Sequence, residues 1–148
     1  MRRRDVLLLA LLFAIPMAAL SSNGTVQAQR PTAPAEMEYE DGTYRGSFMD
    51  RGEIQVNLQF DLRDNIVTGI QYRHLQFGGS NCLEAPWGPQ YQQAIQYLIG
   101  KDIRVSLDDL YNPGDFVDDV DGFTGATIRA GKPRSAIRDA LNRGVYRF

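Results

Sequence analysis

The chain has 148 residues, with 16 Lys and Arg against 18 Asp and Glu, a formal net charge of −2, and one cysteine and one histidine. That balance excludes the concentrated basic face of a nucleic-acid binder. A single Cys82 and a single His74 are too few for an internal disulfide, a zinc site or a haem.

At the N-terminus, Arg2, Arg3 and Arg4 precede an apolar run of 15 residues from Val6 to Leu20, and Val26-Gln27-Ala28 offers a small-residue exit. These are the three parts of a secretory signal. Residues 1–28 are therefore expected to be removed on export, leaving a periplasmic or cell-surface protein that begins near Gln29. The run is shorter than the roughly 20 residues of a spanning helix. Retention of the segment as a membrane anchor is the alternative. The arginines also resemble a twin-arginine signal, without its usual preceding Ser or Thr and its later lysine. Without the signal the chain carries 13 basic and 17 acidic residues, a net charge of −4. The remaining 120 residues suit one domain with one core.

Residues 29–40, QRPTAPAEMEYE, mix proline, alanine and charge without a period and read as a flexible lead-in. Order is expected from the turn pair Asp41-Gly42, with a short strand over Tyr44–Phe48. In IQVNLQFDL, the apolar Ile54, Val56, Leu58, Phe60 and Leu62 alternate with Gln55, Asn57, Gln59 and Asp61. Alternation of this kind predicts a strand with one buried face. Asp64-Asn65 is a tight-turn pair, since both residues tolerate left-handed backbone angles. The return strand IVTGIQYRHL places Ile66, Thr68, Ile70 and Tyr72 on one face.

The period then changes. Pro89 after Gly88 suits a first helical turn; Tyr91, Ala94, Ile95 and Leu98 follow helical spacing, and Gly100 ends the run. Ser106 with Asp109 resembles a capping box that opens a short helix stopped by Pro113. Ala136, Ile137, Ala140 and Leu141 form the stripe of a last helix, with Gly144 beyond it. Strands followed by helices make the fold class α+β: a small antiparallel sheet, built on an N-terminal meander, packed against two or three helices in a domain spanning 41–148.

Just upstream of the last helix lies DGFTGATIR, Asp121 to Arg129. Free N–H groups and the positive dipole end at a helix start attract anions, phosphate above all. Gly125 and Ala126 allow close approach to the backbone. The hydroxyls of Thr124 and Thr127 can donate to phosphate oxygens, and Arg129 and Arg134 can add charge-assisted bonds. The plainer reading makes Thr127 an N-cap alone.

DGFTGATIR resembles the signature of the FMN-binding domain family, found in the flavin-carrying subunits of Rnf-type and sodium-pumping quinone oxidoreductase complexes. Asp121, Gly122, Thr124, Gly125, Ala126 and Thr127 match that signature in register, and DGTYRGSF followed by an alternating strand and YRH is similar to the family's opening half. The resemblance covers about Asp41 to Leu141. It implies an exported FMN-binding domain acting in electron transfer, with a membrane-bound or periplasmic redox partner. It also implies that Asp121 to Thr127 cradle the FMN phosphate and that His74 lies near the flavin ring. Where covalent members carry the threonine that is esterified by the FMN phosphate, this chain has Arg129. Arginine has no hydroxyl to esterify, so the flavin is expected to be non-covalent, with the guanidinium pairing to the phosphate. A flavin-free binding module that keeps the fold is the alternative function.

Other features point less far. Asp115, Asp118, Asp119 and Asp121 invite a calcium reading, but with Gly122 as the loop glycine the first and twelfth positions would be Val117 and Ile128. No metal is expected there. Trp87, Tyr91 and Tyr97 read as core, or as a flat wall for an aromatic ring. No nucleophile and base pair is visible, so an electron carrier is expected rather than a substrate-specific oxidoreductase.

Overall fold

A computed structural model describes residues 37–118 and 130–147. The expected secretory segment 1–28, most of the lead-in and the whole of Asp121–Arg129 lie outside the described residues. Strands β1 (Gly42–Asp50), β2 (Glu53–Arg63), β3 (Ile66–Phe77) and the short β4 (Ser80–Asn81) pair antiparallel in chain order. Helix α1 (Gly88–Gln96) packs on β3, while α3 (Gly131–Arg143) packs on β1 and β2. Between them lie the single turn α2 (Ile103–Ser106) and two 3-10 turns, Leu107–Tyr111 and Pro113–Asp115. The fold is the expected α+β arrangement.

The hairpin β2–β3 turns on Asp64 and Asn65, with φ of 51° and 63°. Two positive φ values in a two-residue loop match the right-handed twist of the flanking strands. Asn65 does more than turn the chain: its side-chain oxygen accepts the Tyr39 N–H at 2.8 Å and its amide donates to Glu38 at 2.9 Å. The lead-in is thus tied down from Glu38, ahead of the expected Asp41. Strand β1 runs through Asp50, beyond the expected Phe48, because Arg51 and Gly52 supply a second positive-φ turn.

One core joins Tyr44, Val56, Leu58, Phe60, Tyr72 and Leu75 of the sheet to Tyr91, Ile95, Leu98, Ala136, Ile137 and Ala140. Tyr44 and Phe60 stack at 5.2 Å between ring centres. Strict alternation fails at three places, all of them bulges. Phe48 pairs with Val56 but Met49 pairs with Ile54, so Gln55 is the extra residue. An extra residue reverses which face its neighbours meet. Gln55 is consequently only 2% exposed and Ile54 is 41% exposed, the reverse of the simple period. On β3 the extra residues are Thr68 and Arg73. Val67 and Leu75 join Tyr72 in the core, while Thr68, expected on the inner face, is exposed.

Helix α1 buries Tyr91, Ala94 and Ile95 at helical spacing, Leu98 is buried just past its end, and Gly100 turns the chain at φ 80°. The next helical segment opens earlier than the Ser106–Asp109 pair suggests. Asp102 is its N-cap, accepting the Arg104 N–H at 2.9 Å, while the Ser106 hydroxyl donates back to the Asp102 carbonyl at 2.6 Å. Ser106 sits inside a helical turn, where a short hydroxyl side chain bonds i−4 instead of capping.

Hydrogen bonds from the Arg104 side chain and backbone, strengthened by its charge, hold the Asp102 carboxyl below the usual carboxylate range against its partial burial. A carboxyl depressed in the folded state adds stability above its unfolded pKa and loses it as pH falls through the folded value. Asp102→Asn keeps a good cap but removes the charge. Thermal melts of wild type and Asp102→Asn should therefore differ at neutral pH, and the gap should close as pH falls below about 4.

Candidate functional site

The motif segment enters and leaves through described residues. At its entry, Asp118 is held on α1: its N–H donates to Gln93 Oε1 at 3.3 Å, and Gln93 Nε2 donates to Asp118 Oδ2 at 3.0 Å. Gln90 lies three residues before Gln93, on the same side of the helix. Its side-chain oxygen is buried with no hydrogen-bond partner among the described residues. At its exit, the chain passes through Ala130 into α3. Ala130 holds the cap position, no side chain among the described residues caps the helix, and its first turn carries no acidic residue. Thr127, the residue that the plainer reading makes an N-cap, stands three residues ahead of that position and lies outside the described residues.

The first turn of α3 carries Lys132 instead. A cation at the positive end of a helix is electrostatically misplaced unless an anion answers it. Lys132 Nζ donates to Gln55 Oε1 at 2.6 Å, stands 4.0 Å from Asp50, and lies 5.7 and 5.6 Å from the ring centres of Phe48 and Phe77. The β2 bulge is what aims Gln55 at this lysine. Lys132, Gln55 and the two phenylalanines are the residues that local sequence reasoning missed. The one available signal was a lysine in the first turn of a helix, against the dipole.

His74 is exposed on β3 and lines an open depression of about 670 Å³ with Glu53, Ile54, Asn57, Gly78 and Gly79. Glu53 accepts the N–H groups of Gly78 and Gly79 at 3.1 and 3.0 Å. Those bonds, with smaller contributions from Gln55 and His74, hold its carboxyl below the usual range. Cys82 lies beside this cluster. Burial and Glu53 push its thiol up, and Lys132 partly opposes them. Glu53 thus links His74 to the surroundings of Lys132, and no hydrogen bond joins His74 to the lysine among the described residues.

Of the sequence-predicted site residues, His74 falls in this region, whereas Asp121, Gly122, Thr124, Gly125, Ala126, Thr127 and Arg129 lie outside the described residues. Arg134, expected to add charge at the phosphate, is committed elsewhere: it is buried, ion-paired with Asp108, and stacked 4.3 Å over the Tyr111 ring. Tyr91 is core; Tyr97 is half-buried against Phe116 and donates to Asp109 at 3.0 Å; Trp87 is exposed. No group of three or more metal-ligating side chains occurs among the described residues, and no helix among them is long and apolar enough to cross a membrane. Comparison with protein-family models, curated proteins and solved structures gives no match for the chain.

Proposed function

We propose that this chain is an exported FMN-binding domain that holds its flavin non-covalently and serves electron transfer with a membrane-bound or periplasmic partner. One observation carries the reading. A segment with the family-like sequence DGFTGATIR leads into a helix whose start has no side-chain cap among the described residues, and whose first turn carries Lys132 and no carboxylate. A phosphate would answer the dipole end and add a second anion to the Asp50 carboxylate 4.0 Å from Lys132.

Bound flavin would supply the redox chemistry, and the chain's task is to hold and orient it. Thr124, Thr127 and the backbone at Gly125-Ala126 would bind the phosphate, with Arg129 as its guanidinium partner. Asp121 and Gly122 would shape the approach. The buried, unpartnered Gln90 oxygen suits a ring N–H donor, which would remove the cost of leaving that acceptor unsatisfied. His74 would lie towards the ring. The presence of Arg129 where an ester-forming threonine would stand favours a second reading, a flavin-free binding module on the same fold.

Paired titrations with FMN and riboflavin test the proposal. A charge-assisted contact is worth about 1.5–3 kcal/mol. Arg129→Ala should therefore weaken FMN about tenfold to a hundredfold while leaving riboflavin, which lacks the phosphate, almost unchanged. Gly125→Val should weaken both. A wild-type protein that does not prefer FMN to riboflavin has no phosphate site, and a colourless protein from its native compartment would favour the flavin-free module.

A further inference from the structure

The β2 bulge that turns Gln55 towards Lys132 turns its neighbour the other way. Ile54 is 41% exposed on the opposite face of the sheet and lines the open depression that also holds His74. Asn57 and His74 are cross-strand partners, so they stand side by side on that face, and Gln76 follows His74 at the strand period. Three glycines complete the wall. Gly52, Gly78 and Gly79 turn at φ of 82°, 58° and 77°, and without side chains they present bare peptide to an incoming group.

The chemistry of this lining selects against ions. Its carboxylate, Glu53, already accepts the N–H groups of Gly78 and Gly79, and no lysine or arginine lines the depression among the described residues. An anion would meet the Glu53 charge with no ammonium or guanidinium to answer it. A metal ion is not provided for either, since no group of three or more metal-ligating side chains occurs among the described residues. What remains is two carboxamides, an imidazole and the aliphatic Ile54. The Asn57 oxygen is buried without a hydrogen-bond partner among the described residues. No bond holds that oxygen, so the amide can turn about its last torsion and present either end. Each carboxamide carries a donor beside an acceptor. A ring in which N–H adjoins C=O meets such a group through two hydrogen bonds, in the manner of asparagine on a base edge.

We infer that this depression binds a small neutral planar heterocycle in which a ring N–H adjoins a carbonyl, a lactam or cyclic imide. Asn57 and Gln76 read its edge, His74 flanks it, and Ile54 and the glycine peptides meet its flat face. Covering Ile54 and partnering the Asn57 oxygen both remove costs that the free protein carries. The volume of about 670 Å³ suits a small ligand. The site is separate from the proposed flavin phosphate and does not rest on that reading. Successive strand residues face opposite ways, and Lys132, at the start of α3, lies on the Gln55 side of β2 rather than the Ile54 side.

Amide NMR titration of the exported chain with hypoxanthine, its lactam N-methyl derivative and benzoate tests the inference. Hypoxanthine carries the lactam edge, the methylated ring keeps the carbonyl without the adjoining N–H, and benzoate is flat but anionic. Hypoxanthine should shift the amides of Ile54, His74, Gly78 and Gly79 saturably. Losing one neutral hydrogen bond should weaken the methylated ring about two- to tenfold, and benzoate should not saturate. Asn57→Ala and Ile54→Ser should each weaken hypoxanthine by a similar factor. Gln71→Ala, exposed on β3 outside the depression, should leave it unchanged, as should added FMN. Absence of saturable shifts overturns the inference, and so do equal affinities for the two purines or equal weakening by Gln71→Ala. Displacement of hypoxanthine by FMN also overturns it, because the depression would then be the flavin's own. A chain that binds hypoxanthine as expected but not FMN keeps this site and loses only the flavin reading. Ile54 is exposed, so its variant reports binding even if Asn57→Ala disturbs the sheet.

Discussion

Replacing Leu58 with alanine is expected to cost about 2–5 kcal/mol of folding stability, the range for removing a buried leucine side chain. Leu58 is fully buried at the centre of β2, paired with Gly46 on one side and Tyr72 on the other. The helices α1 and α3 and the sheet all contribute to the core around it, so the cavity has little room to collapse. The neighbouring residue makes the comparison decisive. Asn57 points to the other face, and its side-chain oxygen has no hydrogen-bond partner among the described residues. Asn57→Ala removes an unsatisfied acceptor and should be nearly silent. Urea melts of the two variants check this: equal, small losses would mean that the β2 register is wrong.

Gly46→Ala should be damaging for the opposite reason. A Cβ on Gly46 would lie 2.0 Å from the Ala136 carbonyl oxygen, 2.6 Å from the Ala140 nitrogen and 2.7 Å from the Ala140 Cβ. Two of these are helix backbone, which no rotamer change can move aside. Overpacking typically costs about 1–3 kcal/mol and occasionally more, and a clash with backbone puts this one at the upper end. Helix α3 must lift from β1, which also strains the bond from the Ser47 N–H to Asp139 at 2.9 Å. Gly69→Ala is the control. Its Cβ would meet only Asp61 Oδ2 at 3.6 Å, an ordinary contact. That change should be neutral or slightly stabilising through the unfolded chain. Equal melting temperatures for the two alanine variants would rule out the close β1–α3 packing.

Gly46 itself illustrates how little of such packing is local. Nothing within DGTYRGSF says that a helix beginning 85 residues later rests on this glycine. The candidate site divides the same way. Its motif was legible because hydroxyls and small residues before a helix have a chemistry of their own. Lys132 and Gln55 were not, because their meeting depends on a bulge, and Arg134, which looked available from its position, is taken up by Asp108 and Tyr111.

The sequence by itself determined the α+β class, the Asp64-Asn65 turn, the stripes of α1 and α3 and the glycines that end them. These follow from backbone preferences and side-chain periods that repeat over a few residues. Tertiary structure decided which face each strand residue meets after a bulge. One inserted residue reverses the period without changing composition, and it buries Gln55, exposes Ile54 and frees Arg73 for the outer face. It also brought Arg45, Arg73, Arg143 and Arg147 around one cleft, because the tail folds back along β1. Residues so far apart in the chain share no local pattern, and only the packing of α3 on the sheet brings them together.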